Sequence, residues 1–362
     1  LVGTAHDDGE SARRGAVLRT GGAPPLLTEF AADVGVGGAV HRGDEIEDSD
    51  ALGLPGQAEA AAGPRAPGED AGADELRELL REVRPRHAEV LGELRPGHRR
   101  PRGELSDHRD GVGMRIAVAG GTGRIGRLVV EEARRRGHDP LSLSRSEGVD
   151  LTAGEGLAAL LRGVDAVVDA TNPPVSDVAE AERVFTTLSR TLLSAGAEAG
   201  VGHHVTLSIA ALDRVRGNPH YAGKRAQERE VTRGPVPFTI VRATQFHDFP
   251  AMIAEWSIED GEGIVPPLLL QPIAPVDVAV ALVDAAESPA LGGSFDIAGP
   301  RTEDAVDMAR RTLAAWGRDL PLRAAWKGAA LGVEFAGEVL LPGDDARTAP
   351  TTFDDWLATE TR

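Results

Sequence analysis

The pattern of apolar and polar positions changes at Met114, and the two parts of the chain predict different structures. After Met114, short apolar runs lead into glycine turns and then into segments whose apolar residues recur at helical spacing. This repeated alternation of strand and helix is typical of a parallel sheet with helices on both faces. We therefore predict a Rossmann-type, doubly wound α/β domain over residues 114–362, with a small C-terminal substrate lobe over about 245–362.

Glycines and apolar periodicity together predict where the elements end. Gly137 and Gly200 follow segments of helical periodicity and are expected to stop them. The predicted strands are residues 115–119, 140–144, 166–170, 204–209, 238–242 and 294–297. The predicted helices are residues 125–136, 157–161, 178–199, 221–231, 276–286 and 304–316.

Residues 1–113 have few of the aromatic and large apolar side chains that a folded core needs. They contain Phe30 but no Met, Lys, Trp or Tyr, and they are rich in Gly, Pro and Ala. We expect a low-complexity, disordered extension in which residues 74–94 form a marginal helix broken at Pro85. A partner-binding helix is the alternative there. Because Met114 is the first methionine, we also expect the natural protein to begin at that residue.

Composition and charge exclude several classes of function. The chain has no cysteine, which removes disulfides, thiolate zinc sites and cysteine nucleophiles. Its formal net charge of −18 repels nucleic-acid phosphates and anionic membranes, and no apolar run approaches the ~18 residues of a membrane span. His203 and His204 are adjacent residues that precede Ser208 and are expected to point to opposite faces, so we expect no metal site. We expect a cytoplasmic protein that binds a small-molecule substrate, without membrane contact or direct nucleic-acid binding.

A glycine-rich loop joins the first predicted strand to the first predicted helix and satisfies the pattern G-x-G-x-x-G. Glycine lets the turn form, lets the backbone approach a pyrophosphate and lets the helix pack on the strand. The helix N-terminus then presents N–H groups and a positive dipole end to phosphates. The loop predicts dinucleotide binding by Gly120, Gly121, Thr122, Gly123, Arg124, Ile125 and Gly126.

The tip of the second predicted strand indicates which dinucleotide is preferred. An acidic residue there would bind the ribose 2′-hydroxyl of NAD, whereas an arginine accommodates the 2′-phosphate of NADP. The sequence has Arg145 between Ser144 and Ser146, which favours NADP(H) and leaves NAD(H) as the second choice. A solvated surface charge is the alternative role of Arg145. Three further cofactor-binding positions are predicted from their place in the chain: Asp150, Thr171 and Asn172.

The same motifs resemble those of a known family, the atypical short-chain dehydrogenase/reductases that include the NmrA-like and isoflavone-reductase-like proteins. The resemblance covers essentially all of residues 114–357. It implies a Rossmann domain whose active site lies at the carboxyl ends of the strands, beneath the C-terminal lobe. It rests on residues 120–126, 144–146, 148–151, 208, 224–228, 242–246 and 271–278.

In catalytic members of that family a Ser, a Tyr and a Lys cooperate, and the resemblance implies these roles for Ser208, Tyr221 and Lys224. The Lys binds the nicotinamide ribose and lowers the pKa of the Tyr, so that the phenol can protonate the reduced oxygen. The family spacing Tyr-x-x-x-Lys is not kept, because His220 stands at the tyrosine position and Tyr221 follows it. His220 is therefore an alternative acid, and a buried, purely structural Tyr221 is the other alternative.

These residues predict an NADP(H)-dependent oxidoreductase that transfers a hydride to a small carbonyl, quinone or enone substrate. Gln245 and Phe246 are expected to line its substrate pocket. The alternative is a non-catalytic NADP(H) sensor of the NmrA type that binds a regulatory protein, which the displaced tyrosine favours. An NAD-dependent epimerase is disfavoured by Arg145.

Overall fold

A computed structural model describes residues 113–360, so the extension predicted over residues 1–113, with its marginal helix, lies outside the described residues except for Gly113. The strands are β1 (Arg115–Ala119), β2 (Asp139–Leu143), β3 (Ala166–Asp169), β4 (His203–Ile209), β5 (Phe238–Ala243), β6 (Ile258–Glu259), β7 (Glu262–Val265), β8 (Leu269–Leu270), β9 (Gly293–Ala298), β10 (Glu303–Asp304), β11 (Leu322–Ala324) and β12 (Arg347–Thr348). The α-helices are α1 (Arg124–Arg135), α2 (Leu157–Leu160), α3 (Val178–Ala199), α4 (Pro219–Arg233), α5 (Phe249–Trp256), α6 (Pro275–Glu287), α7 (Ala305–Ala315) and α8 (Phe353–Glu360).

Seven of these strands form one parallel sheet in the order β12-β9-β5-β4-β3-β1-β2. Strand β1 lies between β2 and β3, so the chain builds the sheet outward from β1 in two opposite directions. At such a switch point the connections on either side diverge and leave a crevice at the carboxyl ends of the strands. The predicted doubly wound, Rossmann-type fold is confirmed.

Local capping signals explain where the principal helices begin and end. Strand β1 and helix α3 have the ends that the periodicity predicted. Asp177 caps α3 by accepting a hydrogen bond from the Glu180 N–H at 2.8 Å, and Gly200 ends this helix in the left-handed conformation. Helix α4 begins two residues earlier than predicted, because Asn218 caps it and Pro219 fills its first position.

Apolar side chains cover both faces of the sheet. On one face, Ile116 and Val205 belong to a cluster with residues of α1 and α6. On the other face, Val167 and Leu192 belong to a cluster with residues of α2, α3 and α4. Successive side chains of a strand point to opposite faces, so the continuous apolar runs of β1 and β3 contribute to both clusters. None of the helices within residues 113–360 is long and apolar enough to cross a membrane.

The segment after residue 245 divides between the sheet and a second core. Helix α6 and strands β9 and β12 complete the sheet side of the fold, whereas α5, β7 and α7 bury a separate cluster that includes Phe335 and Leu340. Tyr221 of α4 belongs to this second cluster. Residues after 245, where the lobe is expected, thus contribute to both cores, and the second core includes Tyr221 of the helix that carries the predicted catalytic residues.

Candidate functional site

A cleft of about 710 Å³ opens at the carboxyl ends of β1, β3, β4 and β5, where the switch point leaves room for a ligand. Its walls come from the glycine loop, the residues after β2, the first turns of α4 and the residues after β5. Gly121 and Gly126 do not line this cleft. It brings together the other predicted residues: Gly120, Thr122, Gly123, Arg124, Ile125, Ser144, Arg145, Ser146, Asp150, Thr171, Asn172, Ser208, His220, Tyr221, Lys224, Gln245 and Phe246.

The glycine loop brings a helix N-terminus to the cleft. Gly120 has a φ of +75°, and a Cβ atom there would lie 3.0 Å from the carbonyl oxygen of Ala170. A Cβ atom at Gly126 would lie 2.0 Å from the carbonyl oxygen of Gly120, so the first turn of α1 packs directly on the loop. Gly123 precedes α1 and has no side chain, so no side chain of this residue caps the N–H groups in the first turn of α1. This arrangement fits the pyrophosphate of a dinucleotide.

Arg124, the first residue of α1, extends toward the segment that follows β5. Its guanidinium pairs with the carboxylate of Asp248 and lies 5.0 Å from the centre of the Phe246 ring. Another guanidinium nitrogen approaches the sulfur of Met252 at 3.9 Å. Arg124 therefore connects the predicted cofactor loop to the predicted substrate pocket, a contact that the glycine motif alone does not indicate.

The tip of β2 carries two hydroxyl groups and an exposed arginine. The Oγ atoms of Ser144 and Ser146 lie 3.0 Å apart, and Ser146 donates to Thr122 Oγ1 at 3.1 Å. Arg145 begins a single 3-10 turn and is exposed at the cleft. The same turn places the carboxylate of Glu147 beside these hydroxyls, and Ser144 donates to Glu147 Oε2 at 3.2 Å. Glu147 was not among the residues predicted for the site.

Asp150 also lines the cleft and is held in its ionised form. Its Oδ1 accepts hydrogen bonds from the hydroxyl and the N–H of Thr152, at 2.6 and 2.8 Å. These bonds lower the pKa of Asp150, and the positive charge of Arg145 lowers it further. Acidic and basic side chains therefore share this part of the cleft, which the analysis of the strand tip alone did not predict.

Lys224 is almost fully buried in the wall of the cleft. Its ammonium donates to the carbonyl oxygens of Thr171 and Leu207, at 3.2 and 3.0 Å, and to Gln227 Oε1 at 3.0 Å. The centre of the Phe185 ring lies 5.3 Å from the same nitrogen. Lys224 thus lies beside the carboxyl ends of β3 and β4, and these hydrogen bonds direct its protons to protein acceptors.

Asp169, the last residue of β3, is a buried carboxylate that the sequence analysis missed. Its Oδ1 accepts from the N–H and the hydroxyl of Thr171, at 3.0 and 2.6 Å, and its Oδ2 accepts from Gln227 Nε2 at 2.9 Å. Together with the Lys224 contacts, these bonds close a ring through Lys224, Thr171, Asp169 and Gln227. The signal in the sequence was a carboxylate inside an apolar strand, where an unpaired charge would be costly.

His220 and Tyr221 both line the cleft, and burial changes the acid–base chemistry expected of them. Burial lowers the pKa of His220 to about 3, and the nearby Lys224 charge lowers it as well. Burial raises the pKa of Tyr221 above its usual value, although Gln245 Nε2 donates to the phenol oxygen at 3.3 Å. Both side chains are therefore neutral near pH ~7. Burial therefore opposes the lowered tyrosine pKa that the family resemblance implied.

Ser208 is buried, and its hydroxyl donates to Glu228 Oε1 at 2.5 Å. Arg242 binds the same carboxylate through Nε at 2.9 Å and through a terminal nitrogen at 2.5 Å. Ser208 therefore lines the cleft, but it donates its proton to Glu228, which forms an ion pair with Arg242 between α4 and β5. Glu228 and Arg242 belong to the motifs that carry the family resemblance, but their pairing is not visible in the sequence.

Three polar atoms in the cleft lining are buried without a partner among the described residues: Asn172 Oδ1, His220 Nδ1 and Gln245 Oε1. Buried polar groups are normally hydrogen-bonded, so such atoms in a cleft indicate where polar groups of a ligand bind. They extend from the end of β3 to the residues after β5. Within residues 113–360, no cluster of His, Asp or Glu side chains is arranged to hold a metal ion.

The switch-point sheet, the glycine loop and the cleft between them define a dinucleotide-binding protein of the Rossmann class. Residues 120–289 match the family described as NAD(P)H-binding. This match supports the NAD(P)-binding resemblance that the motifs predicted.

Individual relatives are distant. The chain is 26% identical over 159 residues to the photosystem II assembly factor Ycf39 of Synechocystis sp., a match that covers 40% of this chain and 48% of that protein. The chain spans about half the length of the curated relatives it matches.

Solved structures resemble the chain over more of its length. A short-chain dehydrogenase/reductase superfamily protein from Agrobacterium tumefaciens with bound NAD is similar at a TM-score of 0.51 and 20% identity, covering 68% of this chain and 96% of that one. An NADPH-dependent quinone oxidoreductase from Escherichia coli is similar at a TM-score of 0.50 and 15% identity, covering 67% and 98%. These likenesses show a fold shared with NAD(P)-dependent oxidoreductases.

Proposed function

We propose that the protein is an NADP(H)-dependent oxidoreductase that reduces a small carbonyl, quinone or enone group. The observation that carries this proposal is one continuous cleft in which the glycine loop and Asn172 meet Tyr221 and Gln245. When bound, NADPH would supply the hydride. The residues of this chain bind the cofactor, orient the substrate and hold a proton near the oxygen that is reduced.

The cofactor end of the cleft suits NADP(H). The N-terminus of α1, left uncapped by Gly123, offers N–H groups to the pyrophosphate. Arg145 is exposed beside the hydroxyls of Ser144 and Ser146, and these three side chains together can bind a 2′-phosphate. The proposed preference for NADP over NAD rests on Arg145, Ser144 and Ser146. These side chains would bind the 2′-phosphate although the carboxylates of Glu147 and Asp150 are nearby.

The substrate end combines a protonated phenol with apolar walls. Tyr221 accepts a hydrogen bond from Gln245, so its own proton can be donated to a substrate oxygen. His220 is uncharged and contributes a hydrogen-bonding nitrogen. Phe246 and Phe249 line the same end and exclude water. Ser208 acts on this site through Glu228 and α4, and Lys224 acts through the Thr171 carbonyl that it holds.

The test is a turnover assay with the purified protein, NADPH and a panel of aldehydes, quinones and enones, followed by the absorbance of the reduced nicotinamide. We expect substrate-dependent oxidation of NADPH with at least one class, and slower oxidation with NADH. Tight NADPH binding without turnover across the whole panel would contradict the enzyme proposal.

A non-catalytic NADP(H) sensor is the second candidate. It is favoured because Ser208 and Lys224, at the family's catalytic positions, already donate hydrogen bonds to other groups of the protein. Ser208 donates to Glu228, Lys224 donates to three protein acceptors, and His220 is neutral. A sensor would respond to the redox state of the cofactor and pass it to a regulatory protein. It predicts different affinities for NADP⁺ and NADPH in calorimetry, together with no turnover.

A further inference from the structure

The hydrogen-bond ring of Lys224, Thr171, Asp169 and Gln227 has a fixed direction. Lys224 donates to Gln227 Oε1, so the other end of the Gln227 amide must be its donor, and Nε2 donates to Asp169 Oδ2. Thr171 donates twice to Asp169 Oδ1. One ammonium and one carboxylate thus orient a neutral amide between them, and the ring carries no net charge.

The ring holds Thr171 at three atoms. Its N–H and hydroxyl are bound by Asp169, and its carbonyl oxygen is bound by Lys224. Thr171 follows β3 directly at the topological switch point, where a parallel sheet presents its ligand-binding loops. The backbone of this short segment is consequently fixed by side chains of α4 as well as by its own strand.

Asn172 is the next residue, and it supplies an independent sign of a ligand. Its Oδ1 is buried in the cleft lining without a partner among the described residues. An amide oxygen in this state is an acceptor for a hydroxyl or an N–H group. The position of that acceptor depends on the Thr171 backbone, and through it on the ring.

We propose that Asp169 and Gln227 are positioning residues for the nicotinamide half of the dinucleotide. They hold Lys224 and Thr171 in place, and Asn172 then presents its amide oxygen to a hydroxyl or amide donor of the nicotinamide nucleoside. The adenine half binds elsewhere in the cleft, at the glycine loop and the tip of β2, and does not depend on the ring. The inference rests on the proposed binding of NADP(H).

The test compares two ligands on the same variants of the full chain. NADP⁺ has both halves, whereas adenosine 2′,5′-bisphosphate has the adenine half alone. In Gln227→Leu and Asp169→Asn, we expect the NADP⁺ affinity measured by calorimetry to fall about tenfold, the scale of a lost hydrogen bond to a charged group. Adenosine 2′,5′-bisphosphate should bind as it does to the wild type.

Two further variants keep the test decisive. Gln271→Leu is the matched control, since Gln271 Nε2 donates to the Gly299 carbonyl at 2.8 Å and Gln271 does not line the cleft. Thr171→Val removes one hydroxyl bond to Asp169 and serves if the buried variants do not fold; it should weaken NADP⁺ binding selectively.

The outcomes separate the ring from the proposed function. Equal losses for the two ligands, or unchanged NADP⁺ affinity in the folded variants, would overturn the positioning role and leave cofactor binding intact. A wild-type protein that binds neither ligand would overturn both proposals at once.

Discussion

The guanidinium of Arg124 pairs with the carboxylate of Asp248, which joins the first turn of α1 to the start of α5 beside the cleft. The two side chains are 15% and 7% exposed, so this is a largely buried ion pair. Arg124 also lies over the Phe246 ring. Removing one partner of such a pair leaves the other charge uncompensated, which costs more than removing both.

For this reason Asp248→Asn should lower the free energy of unfolding by about 1–3 kcal/mol. The double variant Arg124→Met, Asp248→Asn should recover part of that loss, because no buried charge is then left without its partner. Urea denaturation of the two single variants and the double variant measures the coupling. Strictly additive effects would show that the ion pair contributes nothing to stability.

Arg145→Ala should weaken NADPH binding roughly 10- to 100-fold and NADH binding little, since only NADPH carries the 2′-phosphate. Fluorescence titration with both cofactors measures the ratio of the two affinities. Arg127→Ala is the matched control, because Arg127 is an exposed arginine of α1 that does not line the cleft. Similar losses for NADPH and NADH would remove the basis for an NADP preference.

His220 should not act as an acid near neutrality, because burial lowers its pKa to about 3. Between about pH 6 and 8 the kcat profile of His220→Gln should therefore have the same shape as that of the wild type. A wild-type kcat that declines through the ordinary imidazole pKa, and a flat profile in His220→Gln, would restore the imidazole as the acid.

Burial of a neutral His220 also links stability to pH. The unfolded imidazole binds a proton below its ordinary pKa of 6.5, whereas the folded one stays neutral down to about 3. The folded state is therefore most stable, as far as His220 is concerned, at pH values above the ordinary imidazole pKa. The free energy of unfolding decreases as the pH falls below that pKa, because only the unfolded imidazole then takes up a proton. In this acidic range the wild type should lose up to about 1.4 kcal/mol per pH unit more than His220→Gln, measured by denaturation at several pH values.

Local patterns predicted the parts of this structure whose causes are local. The glycine loop, β1 and α3 follow from a turn motif, an apolar run and a capped periodicity, each complete within a short segment. Two-residue strands such as β6 and β8 have no measurable period and were not predicted. Helical spacing placed His220, Tyr221 and Lys224 near one another, and the cleft contains all three.

The hydrogen bonds within the site could not be predicted in the same way. Gln227 and Asp169 are 58 positions apart, and they meet because α4 packs across the end of β3. Two of the three acceptors of Lys224 come from the ends of two strands that precede α4 in the chain. The protonation states of His220 and Tyr221 depend on burial, which for Tyr221 is in the second core, and the sequence pattern did not resolve it.

Tyr221 is the residue on which the oxidoreductase proposal depends most. Burial keeps its phenol protonated, and Gln245 donates to its oxygen, so the phenol can donate to a substrate. Tyr221→Phe keeps the aromatic ring, whose centre lies 5.6 Å from the centre of the Phe335 ring, and removes only the hydroxyl. We expect kcat to fall about a hundredfold while NADPH affinity and melting temperature stay unchanged, because the phenol acts on the substrate oxygen and not on the cofactor. Single-turnover kinetics separate this loss from slow product release. Full turnover in Tyr221→Phe would mean that reduction depends on proximity of the hydride alone.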